Sequence, residues 1–148
     1  MKTGIIITIS VISGVLFLLL IISMIFKSIQ SRLGKYIQKK FDKKDIIGAT
    51  TRANFFGEKA KGSKQLRGNG ALVLTKNQLF FVRAVPLKEF KIPIRSISKV
   101  SLPASFNGKS VFSKLLCVHY TIGEEKNSIA WEVKNPETWK NSIKALIS

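Results

Sequence analysis

Cysteine and histidine each occur once in the 148-residue chain, and they lie two positions apart, as Cys117 and His119. If this segment is a β-strand, both side chains point to the same face. A thiol beside an imidazole is the pair that nucleophilic catalysis uses. It also needs an oriented base and an oxyanion site, and the sequence has no motif for either. We therefore favour the alternative, an ordinary pair of strand residues.

No other set of residues predicts catalysis. One cysteine and one histidine do not make a cluster of metal ligands, and the chain has no glycine motif for phosphate or dinucleotide binding. The eight carboxylates are scattered, with only Glu124 and Glu125 adjacent. The sequence thus predicts a protein that is not an enzyme, with no metal and no cofactor. A single cysteine also excludes an intramolecular disulfide, which agrees with a reducing compartment.

Positive charge is the strongest chemical feature of the chain. It has 25 basic and 8 acidic residues and a formal net charge of +17. Such an excess favours anionic partners, namely phospholipid headgroups, nucleic acid or an acidic protein face. Nucleic acid is the remote alternative, because no recognition helix or aromatic base-stacking set accompanies the lysines. Basic residues that are simply solvated are the other alternative.

An apolar stretch between Lys2 and Lys27 decides among these partners. It contains no charge and no proline, and it is longer than the ~20 residues that cross a hydrocarbon core of about 30 Å. We predict a transmembrane anchor over residues 1–26. A signal peptide is disfavoured because its apolar region is shorter, and a core helix because the remaining chain cannot enclose it. Ser10 and Gly14 form a small-xxx-small pair through which two such helices can approach.

Basic residues crowd the C-terminal side of the apolar stretch, whereas Lys2 stands alone on the other side. The positive-inside rule then predicts a single-pass protein of the cell membrane, with its N-terminus outside and its C-terminal domain in the cytoplasm. The residues that we expect at the membrane surface are Lys27, Arg32, Lys35, Lys39, Lys40, Lys43 and Lys44.

Residues 27–45 form the predicted linker, a basic amphipathic helix that Gly34 weakens. Its apolar stripe consists of Ile29, Leu33, Tyr36, Ile37 and Phe41. Such a helix either lies on the anionic leaflet, which we favour, or packs its stripe on the domain that follows.

Residues 46–148 form the predicted domain, a series of short apolar runs, several of which alternate with period two as half-buried strands do. We predict strands over 46–56, 71–75, 78–84, 90–94, 97–102, 116–122 and 129–133. Lys76 and Asn77 indicate a hairpin, and Pro93 indicates an edge strand or a strand end. In the last two strands, Cys117 and Ala130 fall on the outward face.

Two segments between these strands have the composition of loops. Residues 57–70 are basic and rich in glycine, too polar to bury anything. Residues 105–113 expose two aromatic residues, Phe106 and Phe112, which we predict as docking points for a protein partner. Strand addition to a sheet edge is a second way to bind such a partner.

The last segment changes to the period of a helix. Asn135 is a suitable cap, Pro136 a suitable first residue, and Glu137 meets the positive end of the helix dipole. Trp139, Ile143, Leu146 and Ile147 form a stripe that must bury against a sheet. Seven strands followed by one amphipathic helix predict a twisted antiparallel sheet or partly open barrel, closed at one end by the helix.

Residues 70–148 resemble a GRAM domain of the pleckstrin-homology-like superfamily. The matching segments occur in the family's order: 70–75 running into 79–82, 90–94 with Ile97 and Val100, 116–120, and 135–139 with Trp139. The resemblance covers a little over half of the chain. It implies a seven-stranded bent antiparallel barrel capped by one C-terminal helix, and a module that binds lipids or proteins and is not an enzyme.

The resemblance also implies a lipid site. Pleckstrin-homology domains that bind inositol lipids carry a basic cluster between their first two strands, and the corresponding residues are Lys59, Lys61, Lys64 and Arg67. The predicted function is a membrane-anchored GRAM-like binding or scaffold module at the cytoplasmic face. It orients on anionic phospholipid and presents a surface to an unidentified protein partner. A phospholipid-headgroup-binding module is the alternative.

Overall fold

The computed structural model describes residues 2–148, with the exception of the Lys2 side chain. Met1, the first residue of the predicted anchor, lies outside the described residues. Two α-helices are present in the described part, α1 (Lys2–Lys40) and α2 (Pro136–Ile147). The strands are β1 (Ile46–Glu58), β2 (Gly68–Thr75), β3 (Gln78–Arg83), β4 (Lys88–Pro93), β5 (Ile97–Ser101), β6 (Ser105–Phe106), β7 (Lys109–Ser110), β8 (Leu116–Ile122) and β9 (Glu125–Glu132).

Helix α1 is one uninterrupted element of 39 residues, about 58 Å long at the helical rise per residue. Its large apolar side chains from Ile5 to Phe26 are exposed. By length and composition α1 is able to cross a membrane, and its most apolar window packs against nothing in the described chain. The alternative of a buried core helix is therefore wrong.

The C-terminal part of α1 packs on the sheet. Leu33 and Ile37 are buried, and they form a cluster with residues of β2 and β3: Ala71, Val73, Phe80 and Val82. The preferred placement of this stripe, flat on the leaflet, is therefore wrong, and packing on the domain is what the structure shows. The physical reason is that the outer faces of β2 and β3 are as apolar as their inner faces, so they require a cover.

Seven strands form one antiparallel sheet in the order β4-β3-β2-β1-β9-β8-β5. The long strand β1 pairs with β2 from Ile46 to Phe55 and with β9 from Asn54 to Glu58, with register shifts along both pairings. Such irregularities bend a strand, so β1 belongs to both halves of the bent sheet. The predicted plan of a seven-stranded antiparallel sheet with one C-terminal helix is confirmed, including the hairpin at Lys76–Asn77 and Pro93 at the end of edge strand β4.

The main core lies inside the bend of the sheet. Trp131 and Phe55 are among its fully buried side chains. Helix α2 closes one end of this core with the predicted stripe of Trp139, Ile143, Leu146 and Ile147. The predicted capping is wrong in one respect. Asn135 has a left-handed backbone, φ 54° and ψ 60°, and its side chain makes no capping hydrogen bond.

Residues 105–113 differ from the predicted loop, because β6 and β7 form a small hairpin within them. The prediction that Phe106 is exposed is wrong. It packs against Phe56, Leu115, Cys117 and Ala130 in a second core on the outer face of the sheet. This hairpin also explains why Cys117 and Ala130 are buried on a face that alternation assigned to solvent. Phe112 is exposed, as predicted.

Candidate functional site: the sheet end where helix α1 departs

Helix α1 runs along the outer face of β2 in the same direction as that strand. Near its departure from the sheet, Ile29 lines a groove with Asn69, close to the start of β2. Near its C-terminus, the ring of Phe41 lies 5.1 Å from that of Phe80, and Phe41 lines a cleft with Thr75, the last residue of β2. The apolar part of α1 therefore projects from the end of the sheet that carries the β1–β2 and β3–β4 loops.

A polar contact fixes α1 to edge strand β4. The hydroxyl of Tyr36 and the ammonium of Lys40 both donate hydrogen bonds to Glu89 Oε1. Lys91 Nζ lies 3.4 Å from Glu89 Oε2. The hydrogen bonds from Lys40 and Tyr36 lower the pKa of Glu89 to about 2. Since Glu89 is the acceptor for two positions one helical turn apart, it fixes the rotation of α1 about its own axis.

The predicted membrane-surface residues divide into two groups along α1. Lys27, Arg32 and Lys35 lie within about 14 Å of the end of the apolar stretch, measured along the helix axis. The second group, at the opposite end of β2, consists of Lys39, Lys40, Lys43 and Lys44. In this group Lys40 pairs with Glu89, and Lys44 Nζ lies 3.8 Å from Asp42 Oδ2. Membrane contact by either group stays a prediction.

The four predicted headgroup residues do not form one cluster. Lys61 pairs with Glu58, and the Arg67 guanidinium lies 3.9 Å from the centre of the Phe56 ring and 3.4 Å from Glu132 Oε2. Lys59 faces a separate cleft. Lys64 is exposed and makes no ion pair within the described chain.

The β1–β2 loop that carries these residues is held by side chains that sequence reasoning missed. The Gln65 amide donates to the carbonyl oxygens of Glu58, at 2.6 Å, and Gly62, at 2.8 Å. The Asn107 amide donates to the same two carbonyls, at 3.1 and 3.3 Å. Lys109 donates to the carbonyl of Gln65. The loop is thus an ordered support for its basic side chains.

Lys61 has basic neighbours at the adjoining ends of β3 and β4. The positive charge of Lys61 lowers the pKa of Lys88, at the start of β4, and Arg83 contributes in the same direction. The side chain of Arg83 also crosses over Gly68, where a Cβ atom would lie 2.6 Å from Arg83 Cδ. Positive charge therefore accumulates where the β1–β2 and β3–β4 loops meet. No local pattern in the sequence predicts that Arg83 and Lys88 lie beside Lys61.

Lys59 contributes to a cleft of about 580 Å³ on the face of β5, β8 and β9. Lys99, Lys126 and His119 also line it, and none of its lining residues is acidic. Asn127 fixes the backbone next to Lys59, because its Oδ1 accepts a hydrogen bond from Ala60 N at 3.1 Å. A concave site with three ammonium groups suits an anion.

Cys117 and His119 share a face of β8, as predicted. Cys117 Sγ lies 3.6 Å from His119 Nε2, and Ser101 Oγ lies 2.9 Å from the same nitrogen. Burial raises the pKa of the Cys117 thiol. Burial also lowers the pKa of His119, with a further contribution from Lys99 and Lys59. A buried, protonated thiol beside a neutral imidazole is not an activated nucleophile.

Within residues 2–148, no group of three or more His, Cys, Asp or Glu side chains could hold a metal ion.

Comparison with known proteins finds likenesses among solved structures. No family model matches the chain, and no curated protein matches it. Among solved structures, the chain is similar to the hSac2 domain from human phosphoinositide phosphatase Sac2, with a TM-score of 0.43 and 14% identity. The alignment covers 78% of this chain and 75% of that chain. A likeness of this degree assigns neither a family nor a function.

Proposed function

We propose that this chain is a single-pass membrane protein whose β domain is held at the cytoplasmic face of the cell membrane as a binding module. The observation that carries the proposal is the division of α1. Its apolar first part is exposed along its whole length, and its second part is docked on the sheet through Leu33 and Ile37. A helix that is apolar all round is stable in lipid, where its backbone is internally satisfied.

The test is cysteine accessibility on the full chain in cells. Cysteines are introduced at Thr3 and at Lys76, in the β2–β3 turn, and treated with a membrane-impermeant maleimide. We expect labelling at position 3 in intact cells, and labelling at position 76 only after permeabilisation. Native Cys117 is buried, and the unsubstituted chain is the control for its reactivity. Labelling of position 76 in intact cells would contradict the orientation, and extraction by alkaline carbonate would contradict the span.

We further infer that the domain is of the GRAM type within the pleckstrin-homology-like fold. The support is the placement of the matching segments on equivalent elements. Residues 70–75 lie on β2, 79–82 on β3 and 90–93 on β4, while Trp139 lies on the closing helix. Proteins with this fold differ in what they bind, so the fold alone does not name a ligand.

Anionic phospholipid is the proposed orienting partner. Lys27, Arg32 and Lys35 leave the bilayer on α1, and Lys61, Lys64, Arg83 and Lys88 lie on the loops or strand ends at the same end of the sheet. Each basic residue near an anionic leaflet contributes about 1 kcal/mol. Because α1 already holds the domain at the surface, such weak contacts are occupied without tight or selective binding.

A phospholipid-headgroup-binding module is the second candidate, and the cleft of Lys59, Lys99 and Lys126 favours it. A headgroup site binds one headgroup saturably, whereas general anionic orientation requires only a surface of anionic lipid. Soluble inositol trisphosphate is titrated calorimetrically into the detergent-solubilised full chain. Saturable binding that is lost on combined Lys59→Glu, Lys99→Glu and Lys126→Glu, and kept in Lys76→Glu, supports the headgroup site. No saturable binding, together with protection of residues 59–67 from hydrogen exchange in phosphatidylglycerol nanodiscs, supports general anionic orientation.

A protein partner completes the proposal. Strands β4 and β5 are the two outermost strands of the sheet, and strand addition to such an edge is a common mode of peptide binding. Tyr36 and Lys40 of α1 contact β4 through the Glu89 side chain. Strand β5 packs against α2, but its residues Ser98 and Lys99 are exposed, and we propose β5 as the docking edge. A photo-crosslinking residue at Ser98 in β5 should capture a partner in native membranes, whereas one at Lys91 in β4 should not. Equal capture at both positions, or none, would contradict docking at β5.

A further inference from the structure

Of the six large exposed apolar side chains that the structure describes outside α1, four lie in three loops, and the other two are Ile47 and Ile122. Leu66 lies in the β1–β2 loop, Val85 and Leu87 in the β3–β4 loop, and Phe112 between β7 and β8. Their relative exposures are 80%, 73%, 63% and 115%. We call these four residues the apolar tips. Single exposed apolar residues are common on proteins, but a group of them at one end of a domain marks an interaction surface.

Contacts between the loops bring the apolar tips to the same end of the sheet. Lys109, three residues before Phe112, donates to the carbonyl of Gln65, which precedes Leu66. Arg83 crosses over Gly68 at the end of the β1–β2 loop. Its Nε donates to the carbonyl of Pro86, between Val85 and Leu87, at 3.4 Å. Hydrogen bonds and packing contacts therefore join the three loops to one another.

This end of the sheet is level with the end of the apolar stretch of α1. Ser113, next to Phe112, lines one groove with Phe26, the last apolar residue before Lys27. Asn69 lines the same groove, and its carbonyl accepts a hydrogen bond from Ala84 N, at the start of the β3–β4 loop, at 2.9 Å. Phe112 and the β3–β4 loop thus lie beside the point where α1 leaves the domain.

We propose that the apolar tips insert into the interfacial region of the cytoplasmic leaflet, so that the domain is seated in the bilayer surface by its loops as well as by α1. The inference rests on the proposed function, in which α1 spans the membrane. The bilayer is the occupant that the geometry favours, because the tips continue the apolar surface of α1 at the level of Phe26. Lys64, Lys88 and Lys114 lie within two residues of a tip in the sequence, and apolar side chains flanked by lysines are the composition of interfacial segments.

The test places an environment-sensitive fluorophore on the tips of the full chain. Phe112→Cys is labelled with a nitrobenzoxadiazole maleimide and reconstituted into vesicles of equal phosphatidylcholine and phosphatidylglycerol. We expect blue-shifted emission, and quenching by lipids that carry a nitroxide high on the acyl chain. Lys76→Cys, at the opposite end of the sheet, is the matched control, and its quenching should be several-fold weaker. Leu66→Ser combined with Leu87→Ser should reduce the quenching at position 112.

The outcomes separate the insertion from the span. If the vesicles retain the chain through alkaline carbonate but position 112 is quenched no more than position 76, the insertion is wrong and the span stands. An unchanged signal at position 112 in the double serine variant would remove Leu66 and Leu87 from the proposal. If carbonate extracts the chain, the proposed function itself fails, and the insertion fails with it.

Discussion

Among single residues, Glu89 is the one that links α1 to edge strand β4 by polar contacts. It accepts hydrogen bonds from Tyr36 and Lys40, and these lower its pKa from 4.5 to about 2. A carboxyl group with a lowered pKa in the folded state stabilises the fold fully at pH values above its unfolded pKa. That stabilisation is lost as the pH falls from about 4.5 to about 2. Acidification should therefore loosen α1 before it unfolds the sheet.

Glu89→Gln should remove this pH dependence. At neutral pH we expect the unfolding midpoint of the detergent-solubilised chain to fall by a few degrees, because a charged acceptor for two donors is lost. Between about pH 4.5 and 2, the native chain should lose stability more steeply than the variant. Thermal unfolding followed by near-ultraviolet circular dichroism measures both effects.

Glu124→Gln is the matched control for Glu89→Gln. Glu124 is exposed in the β8–β9 turn, and it forms no ion pair within the described chain. The Glu124→Gln substitution should leave the unfolding midpoint and its pH dependence unchanged. Equal pH profiles for the native chain and Glu89→Gln would show that the contact with α1 contributes nothing to stability.

The candidate site illustrates which residues a sequence can predict. The basic loop, the exposed Phe112 and the shared face of Cys117 and His119 follow from local composition and strand alternation. Lys99 and Lys126 join Lys59 only because β5 and β9 flank β8, and pairing between distant strands has no local signal. Phe106 is buried because the β6–β7 hairpin folds back over the sheet, whereas alternation assumes that one face is solvated.

Among the elements, α1 differs most from the prediction, because one helix replaces the predicted anchor and linker. Periodicity located the seven strands of the large sheet to within a few residues, because each has a core-facing side, and it located the stripe of α2. For α1 it predicted an anchor and a separate linker, weakened by Gly34. The structure has one helix, because Leu33 and Ile37 gain an apolar cover on β2 and β3, and tertiary packing outweighs the low helix propensity of one glycine.

Gly34→Ala should strengthen this helix. A Cβ atom at position 34 would lie 3.9 Å from Thr51 Cγ2, an ordinary contact, and alanine is favoured over glycine inside a helix by about 0.8–1 kcal/mol. We expect a gain of that size in the free energy of unfolding, and slower hydrogen exchange over residues 30–40.

Gly70→Ala is the same substitution at a position where the structure has no room for a Cβ atom. A Cβ atom at Gly70 would lie 2.2 Å from the Val82 carbonyl oxygen and 2.5 Å from the Phe81 ring. The backbone of β3 cannot move without a large cost, so we expect the free energy of unfolding to fall by about 1–3 kcal/mol or more.

If Gly34→Ala also destabilises the chain, the helix is strained at position 34 and the continuous α1 is wrong.

For the whole molecule, the continuity of α1 has a mechanical consequence. A flexible linker would let a tethered domain sample all orientations above the bilayer. If α1 spans the membrane as we propose, a helix that is unbroken from the apolar stretch to Lys40, and docked on β2 and β4, sets both the height and the face that the domain presents. The proposed lipid contacts would then select among few orientations.

Inserting four alanines between Phe26 and Lys27 should lift the domain without freeing it. Four residues add about 6 Å along the helix axis and a rotation of about 40°. With the fluorophore at position 112, we therefore expect quenching by lipid nitroxides to fall severalfold, while the chain stays resistant to alkaline carbonate. Inserting Gly-Ser-Gly-Ser at the same site adds the same number of residues but breaks the rigid connection, so the loops can return to the surface and part of the quenching should recover. If the alanine insertion leaves the quenching unchanged, the height of the domain is set by its own loops and not by α1.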